Sequence, residues 1–143
     1  MNNELYEYLD TQKIGVVGLS MPDGSLHAAT IHFANNNDLW FFFATGEGTK
    51  KSEALLNNQV CQATFVVGTD ASTMKTFQAH GEARLVNETE QELFDKVYFG
   101  KFADRKSTVK DPKAVYFLFI TKWWRYSDFK HPKGKLIISS DDK

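Results

Sequence analysis

The chain has 143 residues and a net charge of −1, and 42% of its residues are hydrophobic and 14% aromatic. This length suits one domain with its own core, and the near-neutral charge does not favour nucleic acid or an acidic membrane surface as a partner. The lone cysteine excludes an internal disulfide, and no Cys/His cluster has zinc-site spacing. Without a bilayer-spanning apolar run or a basic-then-apolar export signal, the sequence predicts a soluble cytoplasmic protein.

In chain order, the first predicted elements are a short helix and three strands. Leu5 and Leu9 lie four residues apart, which is typical of an amphipathic helix over residues 2–11. A Pro-Asp-Gly-Ser turn separates the first two strands, and an Asn-rich turn precedes the third. These strands are predicted at residues 13–21, 26–34 and 40–45.

The second half of the chain continues with two more helices and further strands. One short helix is predicted after residue 49 and another from residue 87. The remaining strands are predicted at residues 60–67, 75–86, 113–120 and 123–129. Six or seven mostly antiparallel strands with three short helices favour a mainly β fold, a β-barrel with flanking helices. We expect one domain over residues 1–130 and a loose polar tail over residues 131–143.

Two of the predicted strands are apolar on both faces, at residues 39–44 and 114–120. One face of a barrel strand fills the interior and the other normally meets water, so the outer faces of these strands need a cover. Three short helices are too few to cover all of this surface. A homodimer that packs barrel against barrel is the simplest solution.

The clearest chemical signal lies between the third strand and the second helix, in Thr45-Gly46-Glu47-Gly48-Thr49-Lys50-Lys51. Thr49 is the predicted N-cap, and both lysines fall in the first helical turn. Cations are unfavourable at that end of a helix, by up to about 1 kcal/mol each, unless an anion lies among them. Hydroxyl, N–H and ammonium groups in one loop suit a phosphate group. Taken alone, the same pattern also fits a solvated lysine pair in a glycine-rich loop.

The order of elements, together with Phe43-Ala44-Thr45-x-x-x-Thr49-Lys50-Lys51, resembles the pyridoxamine 5′-phosphate oxidase-like FMN-binding split-barrel family. The similarity covers about residues 5–129 and is sharpest in that segment, which looks like the family's (Tyr/Phe)-x-Thr-x-x-x-Ser-(Arg/Lys)-Lys stretch. The resemblance implies a six- to seven-stranded antiparallel Greek-key split barrel. It also implies that FMN is bound at the interface of a homodimer.

The same resemblance implies which residues hold the cofactor. The residues assigned to the FMN phosphate are Thr45, Thr49, Lys50 and Lys51. The residues assigned to the flavin ring are Thr30, Ile31, His32, Thr76 and Trp124. His32 also fits an ordinary barrel histidine bonded to a neighbour, and interface packing alone would explain an outward tryptophan.

The chain departs from the oxidases proper in its substrate residues. Their Arg and Lys at the two ends of the strand along the ring fall near Ala28 or Ala29 and near Phe33 or Ala34 here. Their C-terminal substrate signature, which contains Arg and His, has no counterpart in residues 123–129. The resemblance therefore supports the fold and FMN more than it supports pyridoxamine phosphate as substrate. The chain is closer to the short general-stress or uncharacterised members.

Two functions fit these observations. The first is an FMN-dependent oxidoreductase that acts on an unknown small molecule. The second is a binding or carrier protein on the same fold, which holds flavin, deazaflavin or haem without turnover. No Ser/His/Asp or paired-carboxylate arrangement argues for hydrolysis, so catalytic residues are left unassigned.

Overall fold

The computed structural model describes residues 3–57, 60–105 and 113–142. Within these ranges there are three α-helices, eight β-strands and two short 3₁₀ turns. The helices are α1 (Asn3–Thr11), α2 (Lys50–Asn57) and α3 (Gln91–Lys101). The strands are β1 (Ile14–Ser20), β2 (Leu26–His32), β3 (Ala34–Asn35), β4 (Trp40–Gly46), β5 (Cys61–Val67), β6 (Lys75–Leu85), β7 (Ala114–Asp128) and β8 (Leu136–Ser139). None of the helices in the described part of the chain is long and apolar enough to cross a membrane.

The strands form one antiparallel sheet that curls into a half-barrel. Its path runs β2-β1-β5-β6-β7-β4-β3, and β8 pairs with β7 beside that path. The first and last strands of this order, β2 and β3, are separated in sequence only by Phe33. The two edges of the curled sheet are therefore connected directly by the chain. The mainly β split-barrel fold that the sequence predicts is confirmed.

Aromatic side chains fill the inside of the curled sheet. Residues of β5 alternate strictly between buried and exposed, and Phe65 is fully buried. The ring centroids of Phe41 and Phe65 lie 4.8 Å apart, as do those of Phe43 and Phe117. Tilted and offset ring pairs of this kind contribute about 0.5–1.5 kcal/mol each beyond the burial of their area. The twelve phenylalanines of the sequence are therefore explained mainly by the core.

The outer face of β4 and β7 is covered by α3. Phe42 and Leu118 lie opposite each other on these strands and are fully buried. They belong to a second apolar cluster with Phe94 and Tyr98 of α3. One helix thus supplies the cover that this two-sided apolar part of the sheet needs. The homodimer stays a prediction.

Residues of β6 and α3 hold α1 against the barrel. Tyr8 and Leu9 are buried, and the Tyr8 hydroxyl donates to the carbonyl oxygen of Lys75 at 3.1 Å. Lys101, the last residue of α3, donates from Nζ to the carbonyl oxygens of Leu9, at 3.2 Å, and of Gln12. A cation at the carbonyl end of a helix is favourable, so Lys101 stabilises the end of α1.

One strand replaces the last two predicted strands. Residues 113–120 and 123–129 were expected to form separate strands, and they contribute instead to the single strand β7. The register against β6 shifts between His80 and Gly81, where Lys122 is the extra residue on β7. A β-bulge accommodates one extra residue in a strand without ending it, so the two predicted strands form one.

Part of the predicted polar tail also belongs to the sheet. Residues 136–139 form β8, which pairs with β7 from Arg125 to Asp128. Upstream of β8, His131 Nε2 lies 2.8 Å from a carboxylate oxygen of Glu4 in α1. Residues that were expected to be loose therefore contact the barrel.

Candidate functional site

The segment that joins β4 to α2 brings two threonine hydroxyl groups together. The Oγ1 atoms of Thr45 and Thr49 lie 3.1 Å apart. Thr49 Oγ1 also accepts the backbone N–H of Ser52 at 3.1 Å and donates to the carbonyl oxygen of Gly46 at 3.1 Å. The bond from Ser52 is that of an N-cap, so the predicted cap is confirmed. We refer to Thr45, Thr49, Lys50 and Lys51 together as the α2 mouth.

The two lysines of the α2 mouth have different surroundings. The side chain of Lys50 is 65% exposed, and its Nζ lies 3.6 Å from a carboxylate oxygen of Glu53. Lys51 is half-buried, and among the described residues its ammonium group has no hydrogen bond or ion pair. The backbone N–H groups of both lysines also find no acceptor within that part of the chain, as expected for the first turn of a helix.

Open space lies beside the two glycines of the segment that contains the α2 mouth. A Cβ atom built on Gly46 or on Gly48 would meet no other atom within 4 Å. The positive end of the helix dipole, the free N–H groups and the unpaired ammonium group of Lys51 all favour an anion there. A phosphate group fits this donor set, because its oxygens accept hydrogen bonds from hydroxyl, amide and ammonium groups alike.

A small cavity of ≈ 270 Å³ lies beside the α2 mouth and includes Lys50 in its lining. Two carboxylate groups, those of Asp23 and Glu53, line the same cavity. Hydrogen bonds from Ser25 lower the pKa of Asp23, and Lys50 adds a smaller contribution in the same direction. Because carboxylates surround Lys50, its charge is partly neutralised, and Lys51 is the stronger partner for an anion.

A larger cavity of ≈ 560 Å³ lies on the outer face of the sheet, and we call it the trough. Strand pairing places four of its lining residues in one row across β2, β1, β5 and β6. These residues are Ala28, Gly18, Thr64 and His80. Leu26 and His27 line both the trough and the small cavity, so the two cavities adjoin. The volume of the trough lies within the range of about 300–1,000 Å³ that is usual for small-molecule sites.

The residues of β2 that were assigned to the flavin ring do not line either cavity. Thr30 is exposed, whereas Ile31 is only 7% exposed and belongs to the core. His32 is half-buried. Burial lowers the pKa of His32, and the positive charges of Arg105 and Lys13 lower it further.

Thr76 and Trp124 lie on neighbouring strands, and neither residue lines the small cavity or the trough. Thr76 is at the start of β6. Trp124 is on the inward side of β7, where its ring stacks on Phe77 with 6.4 Å between centroids and a 24° angle between the planes. Trp123 is the outward tryptophan, and its ring lies 4.9 Å from that of His80. Trp124 therefore contributes to the core in this structure.

Sequence reasoning missed the trough and its histidine, although glycines in the strands signalled it. A Cβ atom on Gly18 would lie 2.6 Å from Thr64 Oγ1, and one on Gly81 would lie 2.0 Å from a backbone oxygen of β7. Glycine inside a strand often marks a bulge or a close approach. These two glycines border the trough, and His80 precedes one of them.

Other polar groups serve the fold. Arg84 donates to both carboxylate oxygens of Glu90, at 2.7 and 2.6 Å, and this pairing lowers the pKa of Glu90. Cys61 is buried and donates from Sγ to the carbonyl oxygen of Ser20 at 3.1 Å. Within the described ranges, no group of three or more His, Cys, Asp or Glu residues could hold a metal ion.

Comparison with solved structures shows proteins of the same fold at low sequence identity. A protein from Clostridium acetobutylicum that is related to general stress protein 26, of the pyridoxinephosphate oxidase family, has a TM-score of 0.67 and 17% identity over 97% of this chain and 94% of its own. A haem-binding protein from Mycobacterium smegmatis has a TM-score of 0.71 and 10% identity over 90% of this chain, which spans only 52% of that protein. HutZ, the haem storage protein from Vibrio cholerae, has a TM-score of 0.63 and 13% identity over 85% of this chain and 89% of its own.

Sequence comparison identifies the family. Curated proteins gave no match. A sequence model of the family described as pyridoxamine 5′-phosphate oxidase matches residues 1–127, which is most of the chain. This match confirms the resemblance to the same family that the segment between β4 and α2 indicates. The chain belongs to the pyridoxamine 5′-phosphate oxidase family.

Proposed function

We propose that this protein binds FMN and is a pyridoxamine 5′-phosphate oxidase-like oxidoreductase that acts on a small molecule. The observation that carries the proposal is the α2 mouth, where two adjacent threonine hydroxyl groups, free backbone N–H groups and the unpaired Lys51 belong to one segment whose glycines border open space. Family membership supports it, because the resemblance assigns the FMN phosphate to the same segment.

Each group at the α2 mouth has a distinct role in this proposal. The hydroxyl groups of Thr45 and Thr49 rotate, so each can turn its hydrogen from its present protein acceptor to a phosphate oxygen. Thr49 can do so while its oxygen still accepts the N–H of Ser52 and caps the helix. Lys51 supplies an ammonium group with no partner among the described residues, and Lys50, which pairs with Glu53, contributes less.

The chemistry follows from the cofactor: bound FMN supplies hydride or electron transfer. The chain's part is to anchor the phosphate and to hold the ring in a partly apolar environment. We assign no catalytic acid or base to any side chain.

We also propose a homodimer with the cofactor at the interface. Leu26 is 85% exposed and Ile14 is 43% exposed, and both lie on the outer face of the β1–β2 pair. A second copy that covers this face would bury these side chains and would shield a bound ring from water. Light scattering of purified protein, with and without FMN, tests for the dimer. A monomer under both conditions would contradict this part of the proposal.

The test of cofactor binding uses the visible absorption spectrum and FMN titration of the wild type and of two lysine variants. We expect Lys51→Ala to weaken FMN binding about tenfold and Lys50→Ala to weaken it about two- to threefold, because only Lys51 is unpaired. Riboflavin, which lacks the phosphate, should bind both variants as it binds the wild type. Equal FMN affinity in the wild type and Lys51→Ala would contradict the placement of the phosphate.

Turnover is tested separately from binding. Reduction of the bound flavin by NAD(P)H, followed by reoxidation in air, is the behaviour expected of an oxidoreductase. A flavin that binds tightly but is not reduced by any common donor would favour the carrier function.

Haem binding is the second candidate function. Two of the similar structures are described as haem-binding and haem storage proteins. In this chain, His80 lines the trough, and histidine is a common ligand of haem iron. His27 pairs with buried Leu19, so its side chain lies on the other face of the sheet. Haemin titration tests this candidate. A Soret band that shifts on binding, is lost in His80→Ala and is kept in His27→Ala would support it, whereas equal spectra in the wild type and His80→Ala would contradict it.

A further inference from the structure

The hairpin that joins β7 to β8 carries a group of lysines at its tip. Residues 129–135 read Phe-Lys-His-Pro-Lys-Gly-Lys, and all the lysines of this segment are exposed. The chain as a whole has a net charge of −1, so the total charge does not reveal this local excess of positive charge. We call Phe129, Lys130, Lys133 and Lys135, together with Met74 of the neighbouring loop, the basic tip.

The basic tip is held in place by the elements around it. The backbone N–H of Phe129 donates to the carbonyl oxygen of Met74 at 3.1 Å, which extends the pairing of β6 with β7 by one position. Gly134, with a φ of 93°, closes the turn by donating to the carbonyl oxygen of His131 at 2.9 Å. His131 Nε2 in turn lies 2.8 Å from a carboxylate oxygen of Glu4 in α1. The lysines are therefore presented on a structured hairpin.

The lysines of the basic tip have no carboxylate partner among the described residues. Lys130 donates from Nζ to the carbonyl oxygen of Ser72 at 3.4 Å. The ammonium group of Lys135 lies 5.3 Å from the centroid of the Phe129 ring. In the same part of the chain, the ammonium group of Lys133 has no hydrogen bond, ion pair or ring contact. The positive charge of these side chains therefore stays unpaired at the surface.

Three carboxylates near the basic tip are engaged with other groups. Glu4 contacts the histidine of the hairpin. Asp128 is only 6% exposed and accepts the backbone N–H of Lys130 at 3.2 Å. Asp70 accepts the backbone N–H and the hydroxyl group of Ser72, at 2.9 and 2.6 Å. These carboxylates reduce the positive potential but leave the ammonium groups available to an anionic partner outside the molecule.

Exposed apolar side chains accompany these charges. Phe129 is 43% exposed and Met74 is 41% exposed, and Ile137 on β8 is 45% exposed. Strand pairing places Phe129 between Met74 and Lys135, with about 5 Å between neighbouring positions. The same combination binds amphipathic helices to membrane interfaces, because apolar groups enter the headgroup region while lysines stay beside the phosphates. The basic tip therefore combines both attractions that hold a peripheral protein on an anionic membrane.

Nucleic acid is the other large anionic partner, and the basic tip fits it less well. A base stacks on an open aromatic face, whereas the ammonium group of Lys135 already lies over the Phe129 ring. A single strand also needs a positively charged groove that follows several nucleotides, whereas these lysines lie on one hairpin turn.

We infer that the basic tip binds the surface of membranes that contain anionic phospholipids, with Phe129 and Met74 among the headgroups and the lysines beside phosphate groups. Each lysine near such a surface strengthens binding roughly fivefold, so the contact is peripheral and reversible. The inference does not depend on the proposed function, because none of the residues assigned to FMN belongs to the basic tip.

Co-sedimentation of the full chain with vesicles tests this inference. One set of vesicles contains phosphatidylcholine alone, and the other contains about 30% phosphatidylserine in addition. We expect the wild type to sediment with the second set only, and less of it as salt is added, because salt screens the lysines. A wild type that does not bind the phosphatidylserine vesicles, or that binds both sets equally, would overturn the inference.

Charge reversals at two places show which surface binds. Lys133→Glu combined with Lys135→Glu should weaken binding to phosphatidylserine vesicles about tenfold or more. Lys96→Glu combined with Lys122→Glu, at exposed positions of α3 and β7, is the matched control, because it changes the net charge by the same amount. This control should weaken binding by less than about threefold. Equal losses in both double variants would show that only net charge matters and would overturn the assignment to the basic tip.

The apolar part is tested with Phe129→Ser, which should weaken vesicle binding about tenfold because the ring no longer enters the headgroup region. Leu56→Ser, at a 56% exposed position of α2, is the matched control for the loss of an exposed apolar side chain. Thermal unfolding checks the fold of each variant, and Met74→Ser replaces Phe129→Ser if the latter does not fold. Wild-type affinity in both Phe129→Ser and Met74→Ser would overturn the role of the apolar side chains.

Titration with a single-stranded DNA oligonucleotide tests the competing partner. We expect no binding to the oligonucleotide under the conditions in which the wild type sediments with phosphatidylserine vesicles. An oligonucleotide that binds the wild type, and that is lost together with vesicle binding in Lys133→Glu with Lys135→Glu, would show a general anion surface and overturn the assignment to membranes.

Discussion

Two helix ends in this protein carry lysines in opposite electrostatic settings. At the C-terminal end of α1, Lys101 Nζ donates to the carbonyl oxygens of Leu9 and Gln12 and lies 4.3 Å from the centroid of the Phe33 ring. At the N-terminal end of α2, the ammonium group of Lys51 contacts no such partner among the described residues. The helix dipole attracts the first lysine and repels the second.

The difference separates a lysine that serves the fold from one that is available to a ligand. Lys101 has acceptors, an aromatic face and a helix end of opposite partial charge, so its position needs no ligand to explain it. Lys51 has none of these and sits where the dipole opposes it. A bound anion would remove that penalty, which is why the α2 mouth and not the α1 end is the candidate site.

The largest expected effect is the loss of stability in Lys101→Ala. The variant loses two hydrogen bonds from a charged donor, although the carbonyl oxygen of Leu9 still accepts the backbone N–H of Gln12. We expect the free energy of unfolding to fall by about 2–3 kcal/mol. Urea unfolding measures this change. Lys96→Ala, at an exposed position of the same helix, should lose less than about 0.5 kcal/mol.

The Lys101 variant also separates folding from binding. FMN affinity of the folded Lys101→Ala protein should equal that of the wild type, because Lys101 lies at α1 and not at the α2 mouth. A selective loss of FMN binding without loss of stability would break the comparison between the two helix ends.

The next effect is at the cap of α2. Thr49→Val keeps the shape of the side chain but removes the oxygen that accepts the N–H of Ser52. We expect a loss of about 1 kcal/mol in the free energy of unfolding and, if FMN binds as proposed, a weaker affinity for FMN but not for riboflavin. Thr49→Ser keeps the hydroxyl group and should restore both properties. Failure of Thr49→Ser to restore them would show that the methyl group, not the cap, matters.

The α2 mouth could be predicted from the sequence because its signals are local. An N-cap threonine, two glycines and two lysines lie within seven consecutive residues, so no knowledge of strand pairing is needed to bring them together. The helix start, the cap and the proximity of both threonines follow from that segment alone. Even there, the pairing of Lys50 with Glu53 had to be seen in the structure.

The trough could not be predicted in the same way, because its row combines residues from four strands. Gly18 and His80 are far apart in sequence and meet only through the pairing of β1, β5 and β6. Alternation along a strand predicts that Trp123 and Trp124 face opposite ways, but not which of them faces the core. The bulge beside Gly81 changes that parity between the two halves of β7, so only the structure shows that Trp124 is the inward tryptophan.

The pH dependence of stability provides a smaller test of Lys101. Burial lowers its pKa from the ordinary value of 10.5 to about 8, Asp10 opposes that shift and Lys13 adds to it. Between these two pH values the unfolded chain holds a proton that the folded protein has released, so the free energy of unfolding should rise with pH. Solvent reaches part of this side chain and its carbonyl partners favour the ammonium form, so we expect a rise of only about 1 kcal/mol.

This rise is measured as the difference between the wild type and Lys101→Met from pH 8 to pH 10. Above that range, Tyr8 and Tyr126 act in the opposite direction. Burial raises the pKa of each to about 12, so the folded protein retains protons that the unfolded chain loses, and stability falls. A wild-type curve that runs parallel to that of Lys101→Met would show that the buried ammonium group is not the source.

The smallest expected effect comes from releasing Lys50 from its partner. Glu53→Gln removes the carboxylate 3.6 Å from Lys50 Nζ and makes this lysine resemble Lys51. The pair is exposed, and Glu53 lies in the favourable first turn of α2, so stability should fall by less than about 0.5 kcal/mol. Affinity for FMN should rise about two- to threefold, with no change for riboflavin, because a second unpaired ammonium group then faces the phosphate.

If Lys50→Ala cancels this gain in the Glu53→Gln background, the effect comes from Lys50. A gain that persists without Lys50 would instead reflect the loss of a repelling carboxylate, and lysine pairing would no longer explain the difference between the two lysines.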